Sequence, residues 1–196
     1  FITTLGTMVM VRGFALMLAD GGTVNPGKAA EAFFFLGGGY LFGIPTPIYV
    51  FVAVCILAAI TLKLTPFGRA IYAVGSNEEA AHLSGINVPL VTFGVYIIGG
   101  ILAALSGLIF LSRLSVGDPN SGLGLELEAI TIAVIGGTSL FGGEGSVIGT
   151  IGGAMILAII ANVLNLAGVS PFSQQVVKGA IIILAVLLEA GRKPRK

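Results

Sequence analysis

The chain has 196 residues, of which 56% are hydrophobic and 10% charged, and its formal net charge is +1 at pH 7. Soluble domains have about 25% charged residues, so this composition argues against an ordinary water-soluble enzyme. The mean hydropathy is +1.04, and the apolar residues stand in long blocks without helical or strand alternation. The chain is therefore predicted to be a polytopic α-helical membrane protein, and its small net charge gives no indication of nucleic-acid binding.

The apolar blocks predict about six membrane spans, because a bilayer core of about 30 Å requires roughly 20 helical residues. The predicted spans are 2–19, 46–64, 90–111, 127–141, 147–167 and 173–190. The apolar stretch 33–42 is too short to cross and is interpreted as a partly inserted segment. The span at 127–141 is also short, and it either crosses the membrane or enters and returns on one side. The predicted fold class is an all-α transmembrane helical bundle.

Positive charge near the span ends predicts the orientation of the chain. Four of the last five residues are basic, which places the C-terminus in the cytoplasm. Counting back through the spans then places 65–89 and 142–146 on the cytoplasmic side and 112–126 on the outer side.

The polar segment 65–89 interrupts two uncharged apolar blocks. Within it Ser76 precedes Glu79 by three residues, which is the spacing of a capping box. The residues that follow favour helix, and Gly85 can end a helix in the left-handed conformation. The segment therefore predicts a short, separately capped helix of about eight residues, roughly 12 Å long, that is exposed to a partner.

The sequence contains no pattern for nucleotide binding, metal binding or covalent catalysis. A phosphate-binding Gly-x-x-x-x-Gly-Lys-Ser/Thr motif is absent. The single histidine, His82, has no cysteine or acidic cluster beside it in sequence. Cys55 is the one cysteine and lies in an apolar block, where it is interpreted as a packing residue. We therefore predict no catalytic, cofactor-binding or metal-binding residue on this chain.

The segment 65–89 also carries a family resemblance. Glu79-Ala80-Ala81, followed after three residues by Gly85, resembles the Glu-Ala-Ala loop of ABC importer permeases. The longer segments 66–81, 133–146 and 1–8 are similar to the permeases of ribose-type sugar importers. The similarity covers essentially the whole chain and corresponds to the C-terminal two-thirds of such a permease, as expected for a fragment that begins without Met. It implies one permease domain over 1–196, with 65–89 as its cytoplasmic coupling loop.

The resemblance implies a multi-pass transport subunit of a bacterial inner membrane, and not an enzyme. ATP and Mg²⁺ would be bound and hydrolysed by a separate cytoplasmic ATPase. The other implied partners are an extracytoplasmic sugar-binding protein, a second copy of the permease and the lipid bilayer, with no nucleic acid. The residues implied to contact the ATPase are Arg69, Glu78, Glu79, Ala80, Ala81 and Gly85.

Polar residues in or beside the spans are candidates for the substrate path, because polar groups at membrane depth face protein or water. These residues are Tyr96, Thr138, Ser139, Asn162 and Asn165. On the outer side, the charged residues that flank a Pro/Gly/Asn loop are candidates for docking the binding protein: Arg113, Asp118, Glu126 and Glu128. Hydrogen bonds between helices would explain the polar residues of the spans equally well. A solvated loop would explain the charged residues on the outer side equally well.

Two alternatives remain open at this stage. A permease for branched-chain amino acids or nucleosides resembles the same family broadly. A self-contained secondary transporter or channel belongs to another class, but ion-coupled carriers usually have intramembrane carboxylates. We place no Asp or Glu at mid-span, and we expect Lys178, near the outer part of the last span, to snorkel or to pair. The pattern therefore favours a sugar importer.

Overall fold

The computed structural model describes residues 2–25, 27 and 31–192, and within them the fold is all-α apart from one small hairpin. The elements in chain order are α1 (Ile2–Leu18), α2 (Glu31–Gly38), β1 (Tyr40–Leu41), β2 (Ile44–Pro45), α3 (Thr46–Leu64), α4 (Pro66–Ser76), α5 (Glu78–Leu83), α6 (Val88–Leu114), α7 (Leu125–Ile135), α8 (Val147–Leu166) and α9 (Pro171–Arg192). The predicted fold class is confirmed. The basic residues 193–196, on which the predicted orientation depends, lie outside the described residues.

Three helices of the described part are long and apolar enough to cross a membrane. They are α3, α6 and α8, with mean hydropathies of 2.3, 2.2 and 2.2. Two further apolar helices, α1 and the stretch Pro171–Leu187 of α9, are slightly shorter. Five of the six predicted spans thus coincide with long apolar helices.

The sixth predicted span, 127–141, is wrong in its extent. α7 has 11 residues, which corresponds to about 16 Å or roughly half the bilayer core. The helix ends at Gly136, and Gly137 follows with a φ of +83°, a left-handed conformation that stops a helix without steric penalty. A loop over 136–146 then leads into α8.

One compact unit comprises Phe1–Val54 and Tyr96–Leu123. Its best-buried polar group is Ser112, which is 2% exposed. The Ser112 hydroxyl accepts a hydrogen bond from the Gly37 N–H at 2.7 Å and donates one to the Phe33 carbonyl at 2.6 Å. These bonds fix α2 on the last turns of α6. The expected partly inserted segment 33–42 is therefore α2 followed by the β1–β2 hairpin.

The other compact unit comprises Cys55–Val95 and Gly124–Lys196. In it, the C-terminal end of α7 packs against the first turns of α8 through glycines. A Cβ atom on Gly153 would lie 2.9 Å from the Gly136 nitrogen, and one on Gly136 would lie 2.7 Å from the Thr150 Cα. Backbone-to-backbone packing of this kind through small residues is typical of helices in membranes.

Candidate functional site

α4 begins at a conventional N-cap just beyond the end of α3. The Thr65 side-chain oxygen accepts a hydrogen bond from the Gly68 N–H at 3.1 Å, and its hydroxyl donates to the Thr61 carbonyl at 2.6 Å. Pro66 occupies the first helical position, where its missing N–H has no intrahelical partner to lose. The chain therefore passes from α3 into α4 through a single residue, Thr65, whose side chain bonds to both helices.

Asn77 separates α4 from α5 and caps both. Its backbone is extended, with φ −159° and ψ 107°. Its N–H donates to the Ala73 carbonyl of α4, and its Oδ1 accepts a hydrogen bond from the Ala80 N–H of α5 at 2.9 Å. The predicted capping box is therefore wrong, because Ser76 is the last residue of α4 and cannot cap the next helix. α5 is correspondingly short, with six residues instead of about eight.

The C-terminal end of α5 has the expected glycine termination. Gly85 has a φ of +83°, its N–H bonds to the His82 carbonyl at 3.0 Å, and the Ile86 N–H reaches the Ala81 carbonyl at 3.1 Å. This pair of bonds is a Schellman motif, which satisfies the last carbonyls of a helix. The predicted role of Gly85 as a left-handed stop is confirmed.

The exposed face of α5 is acidic with one large apolar side chain. Glu78, Glu79 and Ala80 are exposed, whereas Ala81 is 4% exposed and packs inward. Leu83, four residues after Glu79 and therefore on the same helical face, is 82% exposed. From the sequence, Leu83 is interpreted only as a residue that favours helix. A large apolar residue within a polar segment is the signal that could have marked it as a contact residue. Arg69 is exposed on α4.

The 136–146 loop lies directly against α4. The Tyr72 hydroxyl donates a hydrogen bond to the Gly145 carbonyl at 2.9 Å, and a Cβ atom on Gly75 would lie 2.7 Å from the Gly143 nitrogen. The structure therefore joins the α4–α5 segment to the loop between α7 and α8. These are the two regions that orientation counting placed on one side of the membrane.

Two of the substrate-path candidates lie in this loop and not inside a span. The Ser139 Oγ accepts from the Phe141 N–H at 3.2 Å, and the Ser139 N–H bonds to the Glu144 carbonyl at 3.0 Å. Thr138 packs against Gly145, where an added Cβ would lie 3.1 Å from its side chain. Both side chains thus form the turn beside α4.

Of the other three path candidates, Asn162 and Asn165 lie one turn apart on α8, and Tyr96 belongs to the other unit. Asn165, near the end of α8, accepts a hydrogen bond from the Gln174 Nε2 at 2.9 Å, and Asn162 is exposed one turn earlier. Tyr96, on α6, belongs to the other unit and is 65% exposed.

The candidates for docking a binding protein are divided between the two units. Arg113 is exposed in the last turn of α6, and Asp118 follows in the same unit. The Asp118 Oδ1 accepts from the Asn120 N–H at 2.9 Å, which orders this turn. Glu126 is exposed in the first turn of α7, in the second unit.

Glu128 and Lys178 form an ion pair that sequence reasoning missed. The Lys178 Nζ donates to the Glu128 Oε1. Of the two expectations for Lys178, pairing is therefore the one that the structure shows. Both residues line a cavity of about 200 Å³ between α7, α8 and α9, together with Leu157 at the middle of α8. Glu128, a candidate for docking the binding protein, is thus engaged by Lys178 and lies in the first turn of α7, which is too short to span, so the expectation of no carboxylate at mid-span stays a prediction.

Comparison with known proteins identifies the family. Residues 1–186 match the family described as branched-chain amino acid transport system / permease component. The chain belongs to this permease family.

Several curated relatives are similar over nearly the whole chain. The chain is 45% identical over 191 residues to the ribose import permease protein RbsC of Haemophilus influenzae, covering 96% of this chain and 59% of the relative. It is 45% identical over 189 residues to the protein of that name in Bacillus subtilis, with the same coverage. The L-arabinose transport system permease protein AraH of Escherichia coli is 40% identical over 195 residues, covering 100% of this chain and 59% of the relative. The chain thus spans about three fifths of the length of these relatives, and no solved structure matches it.

Proposed function

We propose that this chain forms part of the membrane-spanning permease subunit of an ATP-driven sugar importer. The observation that carries the proposal is the α4–α5 segment: two short helices each have their own cap, and α5 presents two exposed acidic side chains in its first turn and the exposed Leu83 at its last residue. A loop that only connected α3 to α6 would not need two caps and a Schellman stop. Membership of a permease family supports the same reading.

In this proposal α5 is the contact with a separate cytoplasmic ATPase. An apolar side chain surrounded by polar and charged ones is the usual arrangement of a protein interface, with an apolar centre and a polar rim. Leu83 would enter a cleft of the ATPase, while Glu79 and Arg69 would form charged contacts at the edge. ATP and Mg²⁺ would be bound by that partner, and this chain would make and break no covalent bond.

The contacts of α4 suggest how movement would reach the membrane. Asn77 joins α5 to α4, and α4 is held to the 136–146 loop by Tyr72 and Gly75. The loop leads directly into α8, whose first turns pack closely on α7. Displacement of α5 by the ATPase would therefore be transmitted to α7 and α8 through short, well-packed connections.

The substrate is proposed to be a monosaccharide. The relatives at 45% and 40% identity are named for ribose and L-arabinose, whereas the family description names branched-chain amino acids. Uptake of radiolabelled D-ribose, L-arabinose and L-leucine into cells that produce the complete transporter separates the two. Saturable, ATP-dependent accumulation of a pentose supports the proposal, and accumulation of leucine alone overturns it.

The remaining partners are also proposals. The complete protein would lie in a bacterial inner membrane with its C-terminus in the cytoplasm, and a second copy would complete the pathway. An extracytoplasmic sugar-binding protein would dock on the outer side of the membrane, near Arg113 and Asp118. Charge complementarity at such sites mainly raises the association rate.

Capture of the ATPase by the complete permease in detergent tests the coupling surface. We compare wild type with Leu83→Glu and with Glu79→Lys, and we use Thr23→Lys as the control for an added positive charge, because Thr23 is exposed in the other unit. Loss of the ATPase in the two α5 variants, with retention in Thr23→Lys and unchanged melting temperatures, supports the assignment. Equal capture by all four proteins overturns it.

A further inference from the structure

The Glu128–Lys178 pair lies at membrane depth within the second unit. Lys178 is seven residues beyond Pro171, the first residue of α9, which places it about 10 Å from the start of that helix. Glu128 lines the same cavity as residues of α8 from Ala154 to Leu164, that is, from the middle of this helix to its last turn. Because α8 is long and apolar enough to cross the membrane, we infer that the pair lies inside the bilayer, between the centre of the span and its outer end.

The residues of this chain bury the Glu128–Lys178 pair only in part. The side chains of Lys178 and Glu128 remain 41% and 36% exposed. The cavity of about 200 Å³ beside them is otherwise lined by apolar side chains and Thr131, so water in it would be held by the two charged groups. Charged side chains within membranes face the bundle interior or a water-filled space, and they mark substrate or ion pathways. The open side of the pair is therefore expected to face water and not lipid.

A continuous polar track connects the pair with the α8–α9 turn. Gln174 lies one helical turn before Lys178 on α9, and its Nε2 donates to the Asn165 Oδ1 and the Val169 carbonyl, each at 2.9 Å. Polar side chains are thus present from the end of α8, at Asn165, through Gln174 to the Glu128–Lys178 pair. The opposite face of α9 is apolar: Val176 and Ile183 are 74% and 62% exposed, as expected of a surface in contact with lipid.

We propose that the polar face of α9 formed by Gln174 and Lys178, together with Glu128 of α7, lines the aqueous substrate path, and that Glu128 and Lys178 bind the hydroxyl groups of a passing neutral sugar. This inference rests on the proposed function. The carboxylate accepts hydrogen bonds from hydroxyl groups and the ammonium donates them. Because the two charges compensate each other, the site attracts neither free cations nor free anions strongly. It therefore matches a neutral polyhydroxylated solute.

Thiol labelling in the complete importer, reconstituted in proteoliposomes with its ATPase and binding protein, tests the path. Native cysteines, including Cys55, are replaced, and single cysteines are introduced as Gln174→Cys, Lys178→Cys and Val176→Cys. Val176 lies at nearly the same depth on the opposite face of α9 and is the matched control. A charged, membrane-impermeant methanethiosulfonate reagent reacts with thiolates, which form in water and not in an apolar environment. Labelling at 174 and 178 is expected to be at least about tenfold faster than at 176, and all three should react equally after denaturation.

The Gln174→Cys variant leaves the ion pair intact, so the labelling comparison survives even if replacement of Lys178 prevents folding. Labelling at 176 that is as fast as at 174 and 178 overturns the assignment of the path. The sugar contact is tested separately with D-ribose and ATP, which should slow labelling at 174 or 178. Glu128→Gln should raise the KM for D-ribose uptake several-fold while capture of the ATPase is unchanged. Labelling that D-ribose does not slow, together with an unchanged KM, overturns the sugar contact.

The outcomes also separate this inference from the proposed function. If the wild-type importer accumulates D-ribose but position 174 is no more reactive than 176, only the inference fails. If the wild type accumulates no sugar, the proposed function and the sugar contact fail together, and the labelling contrast still decides whether this face is aqueous.

Discussion

Tyr72, on the helix that precedes α5, donates a hydrogen bond of 2.9 Å to the carbonyl oxygen of Gly145, just before α8 begins. The two residues are 73 positions apart. Beside this bond the α4 backbone at Gly75 touches the loop backbone at Gly143, with no room for a side chain between them. The segment that is proposed to contact the ATPase is thus tied directly to the start of a membrane-spanning helix.

Replacing Tyr72 with phenylalanine should weaken this connection. The hydroxyl contributes about 1 kcal/mol net, so Tyr72→Phe should lower the melting temperature of the complete permease by roughly 2–4 °C. The amount of sugar transported per ATP hydrolysed should also fall, because ATP hydrolysis would then be less tightly coupled to movement of α8. The ratio of ATP hydrolysed to sugar accumulated, measured in proteoliposomes, is the readout.

Tyr49→Phe is the matched control for this experiment. The Tyr49 hydroxyl also donates one hydrogen bond to a backbone carbonyl, that of Leu41 at 3.0 Å, but it lies in the other unit. A similar loss of stability with normal coupling is expected. Equal changes in the coupling ratio of both variants would show that Tyr72 has no special part in transmission.

The contact between α7 and α8 should discriminate between two adjacent glycines. A Cβ atom on Gly153 would lie 2.9 Å from the Gly136 nitrogen, whereas one on Gly152 would have no atom within 4 Å. Gly153→Ala should therefore destabilise the protein by about 1–3 kcal/mol through overpacking. Gly152→Ala should be neutral, or stabilising by up to about 1 kcal/mol, because alanine favours helix. Thermal unfolding in detergent measures both, and indistinguishable melting temperatures would contradict the observed packing.

The long spans could be predicted from the sequence almost to the residue. The expected span 46–64 is α3 as observed, and 147–167 differs from α8 by one residue. An uninterrupted apolar block with polar ends allows few alternatives to a helix that fills the whole block, because a helix forms all of its backbone hydrogen bonds within itself in lipid. The left-handed stop at Gly85 was predictable for a similar reason, because the signal is local.

The end of α7 could not be predicted by hydropathy. The predicted span extends to Phe141, but α7 ends at Ile135, six residues earlier, just before Gly136 and Gly137. The cap at Asn77 was missed because Ser76 is an equally good capping residue by type, and only the length of α4 decides between them. The Glu128–Lys178 pair joins residues 50 positions apart, so no local pattern reveals it.

Removing the cap at Asn77 should loosen α5 without removing any of its exposed side chains. Asn77→Ala loses the hydrogen bond to the Ala80 N–H, which corresponds to about 1 kcal/mol of helix stability. A six-residue helix depends strongly on its caps, so the affinity for the ATPase should fall several-fold. Titration of the ATPase onto immobilised permease measures the change.

Two further variants control this prediction. Asn77→Asp retains the cap and should bind the ATPase normally. Asn87→Ala removes the corresponding cap of α6, where the Asn87 Oδ1 accepts from the Leu90 N–H at 3.2 Å, and it should lower stability while the affinity is retained. If Asn87→Ala weakens ATPase binding as much as Asn77→Ala does, general destabilisation and not the order of α5 explains the effect.

Gly85 offers a test in which backbone conformation alone decides the result. Its φ is +83°, and an added Cβ would meet no atom within 4 Å, so a side chain there causes strain without a clash. Left-handed backbone costs about 1–2 kcal/mol for most residues and less for asparagine. Stability and ATPase capture should therefore decline in the order Gly85, Gly85→Asn, Gly85→Ala and Gly85→Val, since β-branching adds to the penalty. Gly100→Ala is the control, because Gly100 lies within α6 in open space at an ordinary helical φ and should tolerate alanine. Were Gly85→Asn as damaging as Gly85→Val, the left-handed stop would not be what positions α5.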